Sequence, residues 1–296
     1  MPEPKKVSER IYTQDAWKGC NCTMVVTDEG IVLIDLPPEL DKALEWKEFV
    51  EKFGTVKYMI WTEHHHDHWI RGSLFNSEAT VITHALTYKE MVRMDNEFIR
   101  GRINMLYDEP FDYPDDFERR LPDIAFEGPQ LDLHFGGLTF QLIHVPGHTA
   151  GEIVVFIPEE KAVYTADTIQ HGTRTPYHDA IIDRNWLFSL EKIAALKFDK
   201  LIPGHGEVTC VGKPGGREYI AHVTSLVQKV VALKEAGHFE GNKIPVELNR
   251  EIDPLYDTNP VGLKKGGVVM LTGMDECIAT GSHGFMDNSV TTKDCN

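Results

Sequence analysis

Cysteine is scarce in this sequence, with five residues in a chain of 296. A small, odd set of cysteines argues against a framework of disulfide bonds and indicates a reducing compartment, so we expect a cytoplasmic location. Long hydrophobic runs are also absent, since no apolar stretch reaches the roughly 18–20 residues that cross a bilayer. The first residues lack the apolar segment of a secretion signal. We therefore expect no contact with a membrane.

Positively charged residues are also few compared with negatively charged ones. The chain has 30 Lys and Arg residues against 46 Asp and Glu residues, which gives a formal net charge of −16. No local basic patch stands out, and Lys5-Lys6 and Lys264-Lys265, for example, are only pairs. Because so acidic a surface repels phosphate backbones, a nucleic-acid partner is not expected. The hydrophobic fraction of 42% instead predicts a globular protein with a buried core.

Strand and helix patterns alternate over the first two-thirds of the chain. The clearest strand is Gly30–Leu36, and the segment Glu39–Phe53 that follows it has apolar residues at the three- and four-residue steps of a helix. Two further strands flank Gly136-Gly137, which is a strong hairpin signal. Later helices are predicted over residues 185–197 and 217–236. The pattern predicts an α/β protein in which helices cover mixed sheets.

Residues 1–240 are predicted to form one domain. Within it, residues 94–129 hold four prolines among many charged and aromatic residues. We interpret them as an irregular insertion, which is either a lid over a site or a solvated surface loop. Residues 241–296 have no clear period and are rich in Gly, Asp and Asn, so they are predicted to form an irregular C-terminal extension.

One segment carries most of the candidate chemistry. The residues Glu63-His64-His65-His66-Asp67-His68 directly follow the predicted strand Val56–Thr62, and α/β proteins place active sites on such loops. Imidazole and carboxylate groups are ligands for Zn²⁺, Mn²⁺ and Fe²⁺. Side chains two apart in an extended stretch point the same way, so Glu63, His65 and Asp67 can share one face. The adjacent His68 then turns to a second position, and one short loop can supply ligands to two metal ions.

Three further residues of ligand type also follow predicted strands. They are His148 in Pro146-Gly147-His148-Thr149, Asp167 in Thr165-Ala166-Asp167-Thr168, and His205 in Gly204-His205-Gly206. Each is weak evidence alone, because a histidine at a strand end is more often an ordinary surface residue. In this order, and together with residues 63–68, they form a specific pattern.

This pattern resembles the metallo-β-lactamase superfamily. In that family a His-x-His-x-Asp-His motif is followed by a lone His, then an Asp, and then a His in a Gly-His-Gly turn. Asp35 also stands at the strand end where the family has a structural Asp. The resemblance covers roughly residues 20–237, and it implies a four-layer αβ/βα sandwich with the metals at one edge between the two sheets.

The chain departs from the family motif at its first position. With Asp67-His68 as the anchor, Glu63 stands where the family has its first histidine. A register shifted by one residue would make His64 and His66 the His-x-His pair, but it would misplace Asp67-His68. We use the anchored register.

In that register the resemblance implies two metal sites. Site one comprises Glu63, His65 and His148, site two comprises Asp67, His68 and His205, and Asp167 bridges them. Two divalent ions are expected, with zinc as the first choice. A carboxylate in place of an imidazole makes site one harder, which favours manganese or iron as the alternatives.

The resemblance also implies hydrolysis of a small-molecule substrate by a metal-bridging hydroxide. Asp67 would orient that hydroxide or carry its proton. In the loop after Asp167, Tyr177 or His171 either donates a hydrogen bond to the developing oxyanion or is an ordinary loop residue, and Arg174 and His178 belong to the same loop.

Asp167 separates branches of the family, because its members that hydrolyse β-lactams mostly carry Cys or Ser at this position. We therefore expect a metal-dependent hydrolase of an ester, lactone or thioester. The alternatives are an iron-dependent oxygenase or oxidase, a β-lactam hydrolase, and a scaffold that has lost site one. A homo-oligomer is compatible with the sequence.

Overall fold

Two β-sheets face each other, and helices cover their outer surfaces. The computed structural model describes residues 2–106, 118–172, 175, 177, 179–210, 216–241 and 243–253. Within these residues the strands form one seven-stranded and one six-stranded sheet.

The first sheet follows the order of the chain, so each strand pairs with the next one in sequence. Its strands are β1 (Lys5–Lys6), β2 (Ile11–Gln14), β3 (Cys22–Thr27), β4 (Gly30–Ile34), β5 (Val56–Ile60), β6 (Thr80–His84) and β7 (Ile124–Phe126). The pairs from β1 to β4 are antiparallel, and those from β4 to β7 are parallel. Parallel neighbours need crossover connections, and these contain α1 (Leu40–Val50), α2 (Ala85–Arg93) and α3 (Asn96–Leu106).

The second sheet is built mainly from hairpins. Its strands are β8 (Gln130–Phe135), β9 (Leu138–His144), β10 (Ile153–Ile157), β11 (Ala162–Tyr164), β12 (Lys200–Ile202) and β13 (Thr209–Cys210). The pair β11–β12 is parallel and spans α4 (Arg184–Ala195), and the other neighbours are antiparallel. The helices α5 (Gly216–Glu235) and α6 (Val246–Ile252) follow the last strand. None of the helices in the described part of the chain has the length and apolar character needed to cross a bilayer.

Alternate side chains of one strand enter different layers. In β4, Leu33 packs with Trp46 of α1 on the outer face, whereas Val32 faces the other sheet. In β10, Val154 packs outward in the cluster formed with α4 and α5, and Val155 faces inward. Because both faces of these strands are covered by apolar groups, the layers run helix, sheet, sheet, helix. The predicted four-layer αβ/βα arrangement is confirmed.

Two segments are more regular than the sequence predicts. Residues 94–129 contain α3 and β7, since Ile99 and Ile103 lie four residues apart and are both buried on one face of α3. The predicted extension begins with α6, whose Ile252 is buried in the cluster that also contains α5. Residues 107–117 and 254–296 lie outside the described residues. The first range contains most of the aromatic residues of the predicted insertion, and the second contains most of the predicted extension.

The segments that carry candidate ligands follow strand ends at one edge of the sandwich. Residues 62–68 follow β5, His148 follows β9, Asp167 follows β11, and His205 follows β12. Within the second sheet β9, β11 and β12 run in the same direction, so their carboxyl ends meet. The sheets are joined there, because the backbone N–H of Ile153 donates to the carbonyl of Thr62 (2.9 Å). A second link runs from the N–H of Asn21 to the carbonyl of Gly204 (2.6 Å).

A stacked histidine pair also links the two sheets. The rings of His84, at the end of β6, and His144, at the end of β9, stack at 3.9 Å with an interplanar angle of 12°. His84 Nδ1 accepts a hydrogen bond from the N–H of Leu86 and so caps α2 (3.3 Å). Burial, together with the neighbouring His144, lowers the pKa of His84 to about 4. Burial also lowers the pKa of His144.

Replacing His84 by Asn is expected to reduce the pH dependence of stability. A histidine with a lowered pKa stays neutral in the folded state, whereas the unfolded chain takes up a proton below pH 6.5. The wild type therefore loses stability between pH 6.5 and about 4, and His84 contributes about 1–2 kcal/mol of that loss by pH 5. Asn retains an acceptor for the helix cap but does not titrate. Urea unfolding at pH 7 and pH 5 measures how much the free energy of unfolding changes with pH in each protein. An equal change in the wild type and in His84→Asn would contradict this role of His84.

Candidate metal centre

A buried aspartate organises the edge between the sheets. Asp35 follows β4 with a left-handed backbone (φ 53°) and is fully buried. Its Oδ1 accepts a hydrogen bond from the N–H of Thr62 (3.0 Å), and its Oδ2 accepts one from the Thr62 hydroxyl (2.6 Å). The same Oδ2 lies 2.8 Å from His68 Nδ1 and accepts from the hydroxyl of Tyr164 (2.9 Å). Asp35 thereby holds Nδ1 of His68, and Nε2 of that ring faces the interior of the centre.

The residues predicted for site one lie together. Glu63 is fully buried; its Oε2 is 2.6 Å from His65 Nδ1, and its Oε1 is 3.4 Å from His148 Nε2. The two histidine nitrogens are 3.1 Å apart. Each of the three side chains therefore directs one donor atom to a common point.

The residues predicted for site two form an adjoining group. Residues 63–65 form bends and His66–His68 is a single turn of 3₁₀ helix, so this segment is not extended. Asp67 therefore does not share a face with Glu63 and His65, although the alternation of an extended strand would place it there. Its Oδ2 lies 3.6 Å from His205 Nε2, and the donor atoms of Asp67, His68 and His205 converge.

Asp167 lies between the two groups. Its Oδ2 is 3.2 Å from His205 Nε2 and 3.8 Å from His148 Nε2, and its Oδ1 is 3.6 Å from His68 Nε2. Gln170 Nε2 donates a hydrogen bond to Oδ2 (2.8 Å) and orients the carboxylate. Asp167 is thus close to members of both groups, as a bridging ligand must be.

The backbone beside Asp167 is strained and tightly packed. Ala166 adopts a positive φ of 45°, a conformation that costs a non-glycine residue roughly 1–3 kcal/mol. Its carbonyl accepts a hydrogen bond from the N–H of Gly204 (2.7 Å). A Cβ atom on Gly204 would overlap the Asp167 carboxylate and the Ala166 backbone. Glycine at this position therefore allows the turn that carries His205 to approach Asp167.

The carboxylates of the centre attract positive charge. Burial alone would lower the pKa of His65, but the charges of Glu63 and Asp179 raise it to about 10. Glu63 likewise raises the pKa of His148 to about 9 against the effect of burial. Burial opposes the ionisation of Asp67, yet the nearby histidines lower its pKa to about 2. Protons on the imidazoles and divalent cations compete for this negative potential, so metal binding is expected to release protons.

Several buried polar atoms of the centre lie close to one another but make no well-aligned hydrogen bond within the described residues. They are both carboxylate oxygens of Glu63, Oδ1 of Asp167, Nε2 of His68 and Nε2 of His205. Buried polar atoms without partners are costly and rare in native proteins. Four imidazoles and three carboxylates with converging atoms are a donor set that suits divalent transition metals. The residues therefore fit two metal ions.

The geometry favours the register that begins with Glu63. His64 Nε2 lies on the outer side of the loop, 3.8 Å from Asp179, and His66 begins the 3₁₀ turn. Neither His64 nor His66 belongs to the groups that surround Asp167 among the described residues.

The two residues predicted to contact an oxyanion are engaged elsewhere. Tyr177 is buried in the hydrophobic cluster under α4, where its ring meets that of Trp186 edge to face at 5.8 Å. The backbone N–H of His171 donates to the carbonyl of His205 (2.9 Å), but its ring turns away and Nδ1 donates to the carbonyl of Glu207 (2.7 Å). These contacts do not support the predicted catalytic role of either side chain. Arg174 and His178 lie outside the described residues.

No sequence motif marks the residues that support the ligands. Glu152 is fully buried, and its Oε1 accepts a hydrogen bond from the N–H of Thr168, next to Asp167 (2.6 Å). Burial raises the pKa of Glu152 to about 8. Cys20 Sγ donates to the carbonyl of Asp67 (3.0 Å) and fixes the ligand loop.

Two other supporting residues come from distant segments. Asn21 Nδ2 donates to the carbonyls of Pro203 (2.9 Å) and Gly206 (2.8 Å), and so holds the turn that presents His205. Asp179 Oδ2 lies 2.9 Å from His65 Nε2. The sequence pattern predicts neither set of contacts, because both depend on how loops fold.

Comparison with known proteins identifies the family. The model of the metallo-beta-lactamase superfamily matches residues 15–205, well over half of the chain. The chain belongs to the metallo-beta-lactamase superfamily. The family relationship predicted from the motif is therefore confirmed. Members of this superfamily typically bind divalent metal ions, usually zinc.

Similar members of the superfamily include hydrolytic enzymes. A linear primary-alkylsulfatase of Pseudomonas sp. is 24% identical over 245 residues, which cover 71% of this chain and 44% of that protein. A hydroxyacylglutathione hydrolase of Ruegeria pomeroyi is 39% identical over 93 residues, or 30% of this chain and 35% of that protein. The chain thus spans less than half the length of either relative. A metallo-beta-lactamase structure from Pontibacter korlensis shares the fold, with a TM-score of 0.60, 20% identity, and coverage of 76% of this chain and 98% of that one.

Replacing Glu63 by Ala is expected to remove one of two bound metal equivalents, whereas His64→Asn should retain both. Glu63 lies inside the convergent group of site one, and His64 lies outside it. Inductively coupled plasma mass spectrometry of dialysed protein measures the metal content, and circular dichroism checks that each variant is folded. The reverse result, with metal lost from His64→Asn and kept by Glu63→Ala, would establish the shifted register.

Proposed function

We propose that this protein is a dinuclear metal-dependent hydrolase that acts on a small-molecule ester, lactone or thioester. The observation that carries the proposal is the convergence of seven ligand-type side chains from four strand ends on two adjoining points, with Asp167 between them. The hydrolytic activities for which the two curated relatives are named support the reaction class.

In the proposed centre, each candidate ligand belongs to one of two metal sites or is shared by both. Site one would be held by Glu63, His65 and His148, and site two by Asp67, His68 and His205, with Asp167 shared. When bound, divalent ions lower the pKa of a water molecule from about 16 toward 7 and polarise a substrate carbonyl, which supplies a nucleophile at neutral pH. The protein contributes fixed ligand directions, because Asp35 holds His68 and Gln170 holds Asp167.

The exposed side of the centre indicates where substrate would enter. Glu63 and His68 are fully buried, whereas the side chain of Asp67 is 16% exposed and that of His65 is 10% exposed. Asp67 is therefore the ligand-type carboxylate nearest the entrance. Since its pKa is lowered to about 2, it is ionised at neutral pH and acts as an acceptor that orients a water molecule and its proton.

Zinc is the proposed metal, with manganese or iron as alternatives. Zinc binds imidazole and carboxylate ligands alike, and members of the superfamily usually contain it. The Glu63 carboxylate makes site one harder than a site of three histidines, which favours manganese or iron there.

An iron-dependent oxidase or oxygenase is the second candidate. The observation that favours it is the fully buried Glu63 beside Asp167 and Asp67, since a carboxylate-rich set of ligands suits iron. Iron as the dominant metal of freshly purified protein, with oxygen uptake and no hydrolysis, would support this candidate over the hydrolase.

Replacing Asp67 by Asn is expected to lower kcat for hydrolysis by about 10²–10⁴-fold, because the acceptor that orients the water and its proton is neutralised. Initial rates on panels of carboxylic esters, lactones, thioesters and alkyl sulfates measure the effect. Chelation should abolish the wild-type activity, and added Zn²⁺ or Mn²⁺ should restore it.

The matched control is Asp199→Asn, which removes one carboxylate on the surface, where Asp199 pairs with Lys161. Its activity should equal that of the wild type. Hydrolysis that withstands chelation, or an Asp67→Asn variant as active as Asp199→Asn, would contradict the proposal.

A further inference from the structure

The loop between Asp167 and α4 is attached to site one. The backbone N–H of Ile181 donates to the carbonyl of Gly147, the residue before His148 (2.7 Å). Ala180 and Ile182 are buried on either side of Ile181. Since this part of the loop is fixed to the turn of a candidate ligand, it carries Asp179 to the outer edge of site one.

Asp179 contacts His65 on the side opposite to its candidate metal-binding nitrogen. Asp179 Oδ2 lies 2.9 Å from His65 Nε2, whereas Nδ1 of the same ring faces Glu63 and His148. Asp179 Oδ2 lies 3.8 Å from His64 Nε2, which is too long for a hydrogen bond. The N–H at Nε2 of His65 therefore donates to Asp179.

We propose that Asp179 is a positioning residue for site one: it keeps the proton of His65 on Nε2 and leaves the Nδ1 lone pair for the metal ion. The inference rests on the proposed function, because it requires a metal ion at Glu63, His65 and His148. A neutral imidazole carries one N–H, and the hydrogen bond of one nitrogen determines which nitrogen is available to a metal. A carboxylate partner of this kind typically changes metal affinity by about 10–100-fold.

In site two a carboxylate also holds a candidate histidine ligand, but through the other ring nitrogen. Asp35 holds Nδ1 of His68 and leaves Nε2 for the interior, whereas Asp179 holds Nε2 of His65 and leaves Nδ1. Asp35 is fully buried, but the side chain of Asp179 is 19% exposed and belongs to a loop. Water therefore competes more effectively for the His65 hydrogen bond, and site one is the site whose affinity depends on how this loop is held.

The test measures Co²⁺ affinity by competition with a chromophoric chelator, using the full-length protein loaded with two equivalents. In Asp179→Ala, the dissociation constant of one equivalent should rise about 10–100-fold, while that of the other stays unchanged. Asp179→Asn should show a smaller rise, because the amide oxygen still accepts from Nε2 but carries no charge. Asp199→Asn, which removes the same charge from an exposed position, should match the wild type.

A spectroscopic signature separates positioning from a merely structural role. In the Co²⁺-loaded wild type, the proton on Nε2 of His65 should give a hyperfine-shifted NMR signal that exchanges slowly with water. Asp179→Ala should lose this signal and keep that of His68, while circular dichroism shows that the metal-free variant is folded.

The possible failures are distinguishable. Two tightly bound equivalents in the wild type and an Asp179→Ala variant identical to Asp199→Asn would overturn the inference and leave the proposed function intact. Equal weakening of both equivalents, or a metal-free variant that no longer folds, would assign Asp179 a structural role and also overturn it. A wild type that binds no Co²⁺ would refute the proposed function together with the inference.

Discussion

The carboxylate of Asp35 is the interaction on which the site depends. It is buried between the sheets, and its donors come from three separate places: the segment after β5, the 3₁₀ turn with His68, and Tyr164 at the end of β11. A buried carboxylate is tolerated only when its oxygens are paired, so these hydrogen bonds hold the two sheets in one relative position. The same contacts fix the direction of a candidate ligand. Asp35 therefore contributes both to the stability of the fold and to the position of a candidate metal ligand.

The fold explains why the remaining ligands meet at this edge. Because β4 and β10 are apolar on both faces, both sheets must be covered on two sides. The strand directions then bring the ends of β9, β11 and β12 together. Polar residues at those ends cannot enter the apolar layers, so they face one another. The resulting excess of carboxylate charge attracts cations: Glu63 raises the pKa of both His65 and His148, and Asp179 adds to the effect at His65.

The candidate ligands could be selected from the sequence because they follow strand ends, which hydrophobic patterns mark, and the fold brings these residues together. The Gly136-Gly137 hairpin and the helix after Asp183 follow local rules for the same reason. Loop side chains are different. Nothing local distinguishes Tyr177, which packs into the core, from Asp179, two residues later, which reaches His65. The regular structure of α3 was also obscured, because prolines and charges nearby outweigh the spacing of its two buried isoleucines.

The central claim is that two metal ions lie between the sheets, one beside Glu63 and one beside His205. X-ray diffraction from crystals of the metal-loaded protein, collected on both sides of the metal absorption edge, tests it most directly. Two anomalous peaks are expected. The first should lie next to Glu63, His65 and His148, and the second next to Asp67, His68 and His205, with Asp167 between them. A single peak at the second position, or peaks at His64 and His66, would contradict it.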